Sequence, residues 1–126
     1  MRPLAGVRVV ESANYVSGPF AGLMLADLGA DVVKVEPPKG DPYRAFGPQD
    51  ADGGVIFRAV NRNKRSVAID LTTDPGRAEL DALAAALAMA GETGLTLLAA
   101  GTDGIDGSSD DAGAIVDDST CARGAA

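Results

Sequence analysis

The stretch VRVVESANYVSGPFAGLMLADLGADVVKVE, residues 7–36, decides the fold. It begins with the valine-rich run 7–11 and ends with a second such run, Asp31–Glu36, and short β-branched runs are typical of strands. The connection between them is long enough to return the chain to the start of a neighbouring strand, which allows the two strands to run parallel. We therefore predict a βαβ unit.

The connection itself is predicted to be a helix. Ser17 and Pro19 are residue types that cap and begin helices, and Gly29 is the type that ends them. Apolar residues recur at helical spacing on one face: Phe20, Leu23, Met24 and Leu28. We expect that face to lie on the sheet.

The same alternation continues along the chain. We predict, in order, a loop over residues 37–54, a helical turn over 55–60 and a third strand over 66–70. A helix then begins at Asp74 and Pro75, carries Leu80, Leu83 and Leu87 on one side and stops at Gly91. A fourth strand is predicted over 94–100. The predicted fold class is α/β: a Rossmann-like, three-layer fold with a mostly parallel sheet of about four strands. The length of 126 residues fits a single α/β domain over residues 1–126.

Composition changes near Arg77. Residues 1–77 carry ten of the eleven Lys and Arg residues and every aromatic residue, with a net charge of +1, whereas residues 78–126 have a net charge of −8. Either an acidic surface or the union of two sequences of different origin explains this change.

The residue types also limit the chemistry. Histidine is absent, which excludes a Ser/His/Asp triad and a histidine-based zinc site. The single cysteine, Cys121, leaves no disulfide framework, and the first residues resemble neither a signal peptide nor a membrane span, so we expect a cytoplasmic protein. Any chemistry must use carboxylates, hydroxyls, Lys or Arg.

Two charged features allow more than one interpretation. Glu36 is either a solvated strand end or a ligand for a ribose hydroxyl, although SANYVSGPF after the first strand lacks the GxGxxG glycines of an NAD site. The run NRNKR, residues 61–65, is either a solvated turn or a patch that neutralises the phosphates of CoA. Nucleic acid is disfavoured because the chain is acidic and the patch has no aromatic stacking platform.

Two longer segments carry a family resemblance. LAGVRVVESANYVSGPFAGLMLADLGADVVKVEPPKGDPYR and FRAVNRNKRSVAIDLTTDPGRAEL together resemble the amino-terminal segment of the class III CoA-transferases, over residues 3–80. The resemblance implies a Rossmann-like site for CoA or acyl-CoA, with coenzyme A as the acyl carrier. Members of that family form intertwined dimers, so the resemblance also implies a homodimer.

The resemblance assigns residues as well. It implies six contacts with CoA: Val16 and Ser17 after the first strand, and Ala68, Ile69, Asp70 and Leu71 around the adenine. One departure is Pro37, where some members have an arginine, which implies that a phosphate contact is missing. The nucleophilic aspartate of the family lies downstream of the matched segment, so we assign no catalytic residue and expect no turnover.

The carboxy-terminal part has a different resemblance. ELDALAAALAMAGETGLTLLAAGTDGIDGSSDDAGAIVDDSTCARGAA, residues 79–126, resembles the carboxy-terminal part of the glycerate 2-kinase and hydroxypyruvate reductase family. We interpret the chain as a chimera of a part over residues 1–78 and a part over 79–126, joined within an alanine-rich helix. The aspartates of GTDGIDGSSDD either cap the next helix or bind magnesium through Asp103 and Asp106; they do not meet EF-hand spacing, and no metal site is assigned.

Three classes of function follow. The preferred one is the CoA-binding part of a class III CoA-transferase. The second is a glycerate-kinase-like remnant that binds Mg-ATP or glycerate, and the third is a folded hybrid without a ligand. Each class predicts a different response of thermal stability to CoA and to Mg-ATP. No membrane partner is expected.

Overall fold

The chain folds around a parallel sheet. The computed structural model describes residues 1–89 and contains, in order, β1 Arg8–Glu11, α1 Ser17–Asp27, β2 Asp31–Glu36, a 3₁₀ helix Pro42–Ala45, β3 Gln49–Asp50, β4 Gly53–Gly54, α2 Val55–Asn61, β5 Lys64–Ala68 and α3 Asp74–Met89. The sheet has the order β1-β2-β5, and both pairs of strands are parallel. The α/β class and the parallel sheet are confirmed, whereas the predicted fourth strand over residues 94–100 lies outside the described residues.

Helices α1 and α3 cover opposite faces of this sheet. On one face, Val9 and Val32 pack against Ala26 of α1 and Ala30 just after it. On the other face, the cluster comprises Val10, Val35 and Ile69, with Leu80, Leu83 and Leu87 of α3 packed against it. Because side chains alternate along a strand, β1 and β2 each contribute to both clusters. The predicted apolar side of α3 is therefore confirmed, and so is the layered arrangement.

The buried face of α1 differs from the predicted one. Leu23 is buried as expected, but Phe20, Met24 and Leu28 are 51%, 55% and 44% exposed. The face turned towards the sheet is made mostly of small residues: Gly18, Pro19, Gly22, Leu23 and Ala26. Small side chains let the helix axis approach the strands closely, so volume rather than hydrophobicity selects the buried face.

The ends of the helices show which residues act as caps. Ser17 is the first residue of α1 and Val16 occupies the N-cap position, so the predicted capping role of Ser17 is wrong. Gly29 ends α1 with a φ of 104°, as its residue type predicts. In α3 the cap is Thr73, whose hydroxyl accepts the Gly76 N–H at 3.1 Å. None of the helices within residues 1–89 is long and apolar enough to cross a membrane.

Two segments between the main elements were only partly predicted. The loop predicted over residues 37–54 contains the 3₁₀ helix and a short antiparallel pair, β3 with β4. The helical turn predicted over 55–60 is α2. The third strand, β5, begins at Lys64 and not at residue 66 because its first two residues, although charged, pair with Val32 and Val33 of β2.

Candidate functional site

The carboxyl ends of the three parallel strands lie at one edge of the sheet. β1 ends at Glu11, β2 at Glu36 and β5 at Ala68, and the register places Glu36 beside Ala68. Of the loops that leave this edge, two follow the strands on either side of β2: residues 12–16 towards α1 and residues 69–73 towards α3. Since neighbouring strands are about 4.8 Å apart, the loops start about 10 Å from each other across β2. The fold therefore brings both predicted groups of CoA-binding residues to the edge where parallel sheets bind ligands.

Val16 and Ser17 lie where the first loop joins α1. Both side chains are exposed, and the Val16 carbonyl accepts the Phe20 N–H at 2.7 Å as the first bond of the helix. The positive end of the helix dipole is thus presented at this edge, which suits a negatively charged ligand group.

The second loop alternates between the core and the edge. Ile69 is buried and Leu71 packs against the same cluster under α3. Ala68 is exposed and Asp70 is half-buried. Of the four predicted residues, Ile69 therefore anchors the loop in the core, Ala68 has the most surface to offer a ligand, and Asp70 and Leu71 are both half-buried.

Asp70 organises that loop through hydrogen bonds. Its Oδ1 accepts from the Thr72 hydroxyl at 2.5 Å and from the Thr72 N–H at 3.0 Å, and these hydrogen bonds lower the pKa of Asp70. Its carbonyl accepts from the Thr73 hydroxyl at 3.0 Å, while the same hydroxyl caps α3. The carboxylate therefore has a structural task in the turn, whatever ligand lies beside it.

Glu36 fits neither of its two predicted roles, a solvated strand end or a ligand for a ribose hydroxyl. The side chain is 3% exposed, so it is not a solvated strand end. Oε1 accepts from Arg44 and from the Ser66 hydroxyl, both at 2.6 Å, and Oε2 accepts from Arg44 at 2.7 Å and from the Asp41 N–H at 2.8 Å. Four donors occupy both oxygens, which leaves little capacity for a ribose hydroxyl. Glu36 fastens the loop after β2 to the sheet.

This arrangement predicts a loss of stability in acid. Burial alone would raise the pKa of Glu36, but the hydrogen bonds from Arg44, Ser66 and the Asp41 N–H outweigh it and lower the pKa from 4.5 to about 2. The stabilisation is therefore complete above pH 4.5 and disappears as the pH falls towards 2. The full shift corresponds to about 3 kcal/mol, and we expect less because solvent screens the pair at Arg44.

Urea unfolding at about pH 5.5 and about pH 3 measures this effect. The Glu36→Gln variant should lose stability at the higher pH and show a flatter dependence on pH. As a control, Asp50→Asn removes an exposed carboxyl whose pKa the side chain of Arg58 also lowers to about 2. We expect the control to change the pH dependence less, and an unchanged slope in Glu36→Gln would contradict the assignment.

The cations of NRNKR are committed within the protein. Arg62 pairs with Asp27 of α1 at 2.6 Å and Arg65 pairs with Asp31 of β2 at 2.6 Å. The side chain of Lys64 is 2% exposed and its Nζ lies 2.7 Å from Glu11 Oε2. The run therefore fastens the start of β5 to α1, β2 and β1. Arg62 and Arg65 are still more than half exposed, as a solvated turn predicts, whereas the Lys64 side chain is 2% exposed.

A network of buried charges lies between α1 and the sheet, and sequence analysis missed it. Lys64 and Lys34 flank Glu11, with Lys34 Nζ 3.1 Å from Glu11 Oε1 and 3.0 Å from Asp41 Oδ2. All four side chains are at most 2% exposed. Burial lowers the pKa of Lys64, and the Glu11 carboxylate opposes that effect. Within residues 1–89, no three metal-ligating side chains are grouped to hold an ion.

Comparison with known proteins identifies the family of the chain. The model of CoA-transferase family III matches residues 4–87. The chain belongs to CoA-transferase family III. The resemblance of residues 3–80 to the class III CoA-transferases is thereby confirmed.

Curated relatives and solved structures agree with the family. The chain is 51% identical to a succinate–glutarate CoA-transferase of Agrobacterium fabrum, with 59% of this chain and 20% of the relative covered. It is 51% identical to a succinyl-CoA–D-citramalate CoA-transferase of Chloroflexus aurantiacus, with 61% and 20% covered. A CAIB/BAIF family protein from Brucella suis has a similar structure, with a TM-score of 0.60 and 43% identity over 67% of this chain and 24% of that one. The chain therefore spans about a fifth of the length of its curated relatives.

The carboxy-terminal part has a match of its own. The MOFRL family model, of the glycerate kinase and hydroxypyruvate reductase type, matches residues 64–126, so the chain belongs to this family as well. The order of the two predicted resemblances is confirmed. Asp103 and Asp106, the candidates for binding magnesium, lie outside the described residues.

Proposed function

We propose that the family III part of this chain binds CoA or acyl-CoA at the carboxyl edge of the sheet and does not turn it over. The observation that carries the proposal is the order β1-β2-β5, which brings Val16 and Ser17 to the same edge as residues 68–71. These groups are separated by about fifty residues of chain but by only two strand spacings, or about 10 Å, in the fold.

The two loops suit different parts of the coenzyme. The start of α1 favours a phosphate, because the positive end of a helix dipole attracts anions. The exposed stretch at Ala68 has a small side chain, so a flat adenine ring can lie against the backbone beside it. Asp70 is already held by Thr72 and thus gives this surface a fixed shape.

The absence of turnover is inferred from what the family III match covers. It ends at residue 87 and corresponds to a fifth of the first curated relatives. The nucleophilic aspartate of the class III enzymes lies beyond the corresponding segment. The two curated relatives are named for succinate and for succinyl-CoA, so succinyl-CoA is the acyl form to test beside CoA.

A thermal shift assay with CoA tests the proposal. A ligand present at 100 times its Kd stabilises the native state by about 2.7 kcal/mol, which raises the melting temperature of a small domain by several degrees. We expect this shift with CoA or succinyl-CoA and none with Mg-ATP. Ser17→Trp, which fills the start of α1, should abolish it, whereas the control Ala85→Trp on the exposed side of α3 should not. No shift with either coenzyme form would overturn the proposal.

A second candidate function rests on the match over residues 64–126. A remnant of the glycerate kinase type would be protected by Mg-ATP or by glycerate and not by CoA. The same assay therefore separates the two functions. A protein that responds to none of these ligands would be a folded hybrid without a binding function, and size-exclusion chromatography would then show whether it forms the homodimer implied by the resemblance.

We further propose that residues 1–126 form a single chimeric domain, with a part over 1–78 and a part over 79–126. The two family matches overlap over residues 64–87, which contain β5 and most of α3. A strand followed by an amphipathic helix is common to many α/β proteins, and its packing depends on pattern and volume more than on identity. Such a strand and helix can pack in the fold of either parent family, which supports a join within residues 64–87.

A further inference from the structure

A buried lysine holds the loop that carries Val16 and Ser17. Lys34 Nζ donates to the Ala13 carbonyl at 2.5 Å, while its other two contacts are the carboxylates of Glu11 and Asp41. Two of the three ammonium donors make hydrogen bonds to Glu11 Oε1 and the Ala13 carbonyl, and Asp41 Oδ2 lies within ion-pair distance. With the side chain 1% exposed, water does not compete for them. The Ala13 carbonyl is therefore fixed to the centre of β2.

Asp41 provides a second attachment for the same loop. Its Oδ1 accepts the Tyr15 N–H at 3.4 Å and the Tyr43 N–H at 2.9 Å. Tyr15 has a φ of 63°, in the left-handed region that bulky residues rarely adopt. Its ring meets the Tyr43 ring edge-on, with centroids 6.1 Å apart. A strained residue of this kind keeps its conformation only where its surroundings fix it.

The fact that Lys34 and Asp41 are buried charges indicates that they orient the loop over residues 13–15. Burying ions costs desolvation energy, and apolar residues of similar volume often stabilise a fold as well or better. Here Lys34 and Asp41 make hydrogen bonds to Ala13 and Tyr15 and so connect this loop to β2 and to the loop after β2. What these contacts provide, and apolar packing would not, is a set of directional bonds to the loop.

We infer that Lys34, with Asp41 as its partner, is a positioning residue for coenzyme binding. It touches no ligand: it acts through Ala13 and Tyr15, which set where Val16 and Ser17 lie at the start of α1. The inference deepens the proposed function and rests on it.

The test compares Lys34→Met in the full chain with a control variant on the same strand and face. Val32→Ala removes volume from the core under α1 without touching residues 13–15. CoA affinity is measured by titration at a temperature where both variants are folded. We expect the Kd for CoA to rise tenfold or more in Lys34→Met and to stay within about twofold of wild type in Val32→Ala, since a position remote from the loop changes stability but not the site.

A spectroscopic measurement reports the loop without a ligand. The chain has two tyrosines and no tryptophan, so the near-UV circular dichroism of the tyrosines reports the Tyr15–Tyr43 contact. We expect this signal to be lost in Lys34→Met and kept in Val32→Ala. If Lys34→Met does not fold, Asp41→Ala decides, because Asp41 lies in a loop outside the sheet and its loss should give the same signature.

The two readouts separate failure of this inference from failure of the proposed function. A wild-type protein that does not bind CoA overturns the proposed function, while the tyrosine signal still tests the loop. A folded Lys34→Met variant, or Asp41→Ala in its place, with the wild-type tyrosine signal or with wild-type affinity for CoA would overturn the inference.

Discussion

Replacement of Gly76 by alanine is expected to destabilise the protein by about 3 kcal/mol or more, because a buried backbone contact leaves no room for a side chain. A Cβ at this position would lie 1.8 Å from the Asp70 carbonyl oxygen and 2.6 Å from its carbon. Neither atom can move without shifting the loop between β5 and α3. Helix propensity alone predicts the opposite sign, a gain of about 1 kcal/mol for Gly→Ala inside a helix.

The same substitution should affect the proposed binding edge. The Asp70 carbonyl also accepts the Thr73 hydroxyl, so a displaced carbonyl disturbs the cap of α3 and the surface beside Ala68. Urea unfolding measures the stability, and titration with CoA at low temperature measures the site. The matched control is Ala78→Gly, an exposed position of the same helix, which should lose only about 1 kcal/mol. A Gly76→Ala variant as stable as wild type would show that the close approach is not maintained in solution.

Replacement of Gly22 by alanine is expected to cost about 3 kcal/mol through the buried charges. A Cβ there would lie 1.9 Å from Glu11 Oε2, the oxygen that pairs with Lys64. In an exposed glutamate that atom would simply swing away. Here both carboxylate oxygens face lysines and the side chain is 2% exposed, so moving it leaves a buried ammonium without its partner.

Urea unfolding measures the change in stability of Gly22→Ala. Helix propensity predicts that the variant is more stable than wild type, whereas the collision with Glu11 predicts that it is less stable. The control is Ala21→Gly in the same helix, a half-buried neighbour at which about 1 kcal/mol should be lost. Trimming the carboxylate in the double variant Gly22→Ala with Glu11→Ala should leave the added methyl group without further cost. If the cost of Gly22→Ala is the same in both backgrounds, the carboxylate is not its cause.

The sequence predicted the backbone of this fold better than its interior. The boundaries Asp31–Glu36 for β2 and the start of α3 at Asp74 follow from β-branched runs and from residues that begin helices, and both are local signals. In α1, large apolar residues that were predicted to face the sheet, such as Phe20 and Met24, are exposed. The face made of small residues packs on the sheet in their place, because it fits more closely. Periodicity identifies a helix but does not decide between two neighbouring faces.

The site could be predicted only in part for a similar reason. Parallel order places the ends of β1 and β5 at one edge, and this follows from the strand pattern alone. That Glu11, Lys34 and Lys64 are buried does not follow, because charged residues in a sequence are usually solvated. One signal was present. Lys34 lies within the run VVKV, where the other three residues are valine, and a central strand of a parallel sheet is covered on both faces. Partners separated by 23 and 53 residues, as Lys34 and Lys64 are from Glu11, leave no local pattern.

The buried charges restrict where a chain of this kind can exchange segments with another protein. Glu11, Lys34, Asp41 and Lys64 all precede the shared strand and helix region or lie at its first residue. A breakpoint within α3 keeps every one of these ions with the partners it had in its own ancestor. A breakpoint between residues 12 and 63 would instead bring a buried lysine from one lineage against whatever side chain the other lineage happens to carry, and an ion without a counter-ion inside a protein is strongly destabilising. Recombinants of this architecture should therefore survive when the exchange falls after β5 and be lost when it falls before.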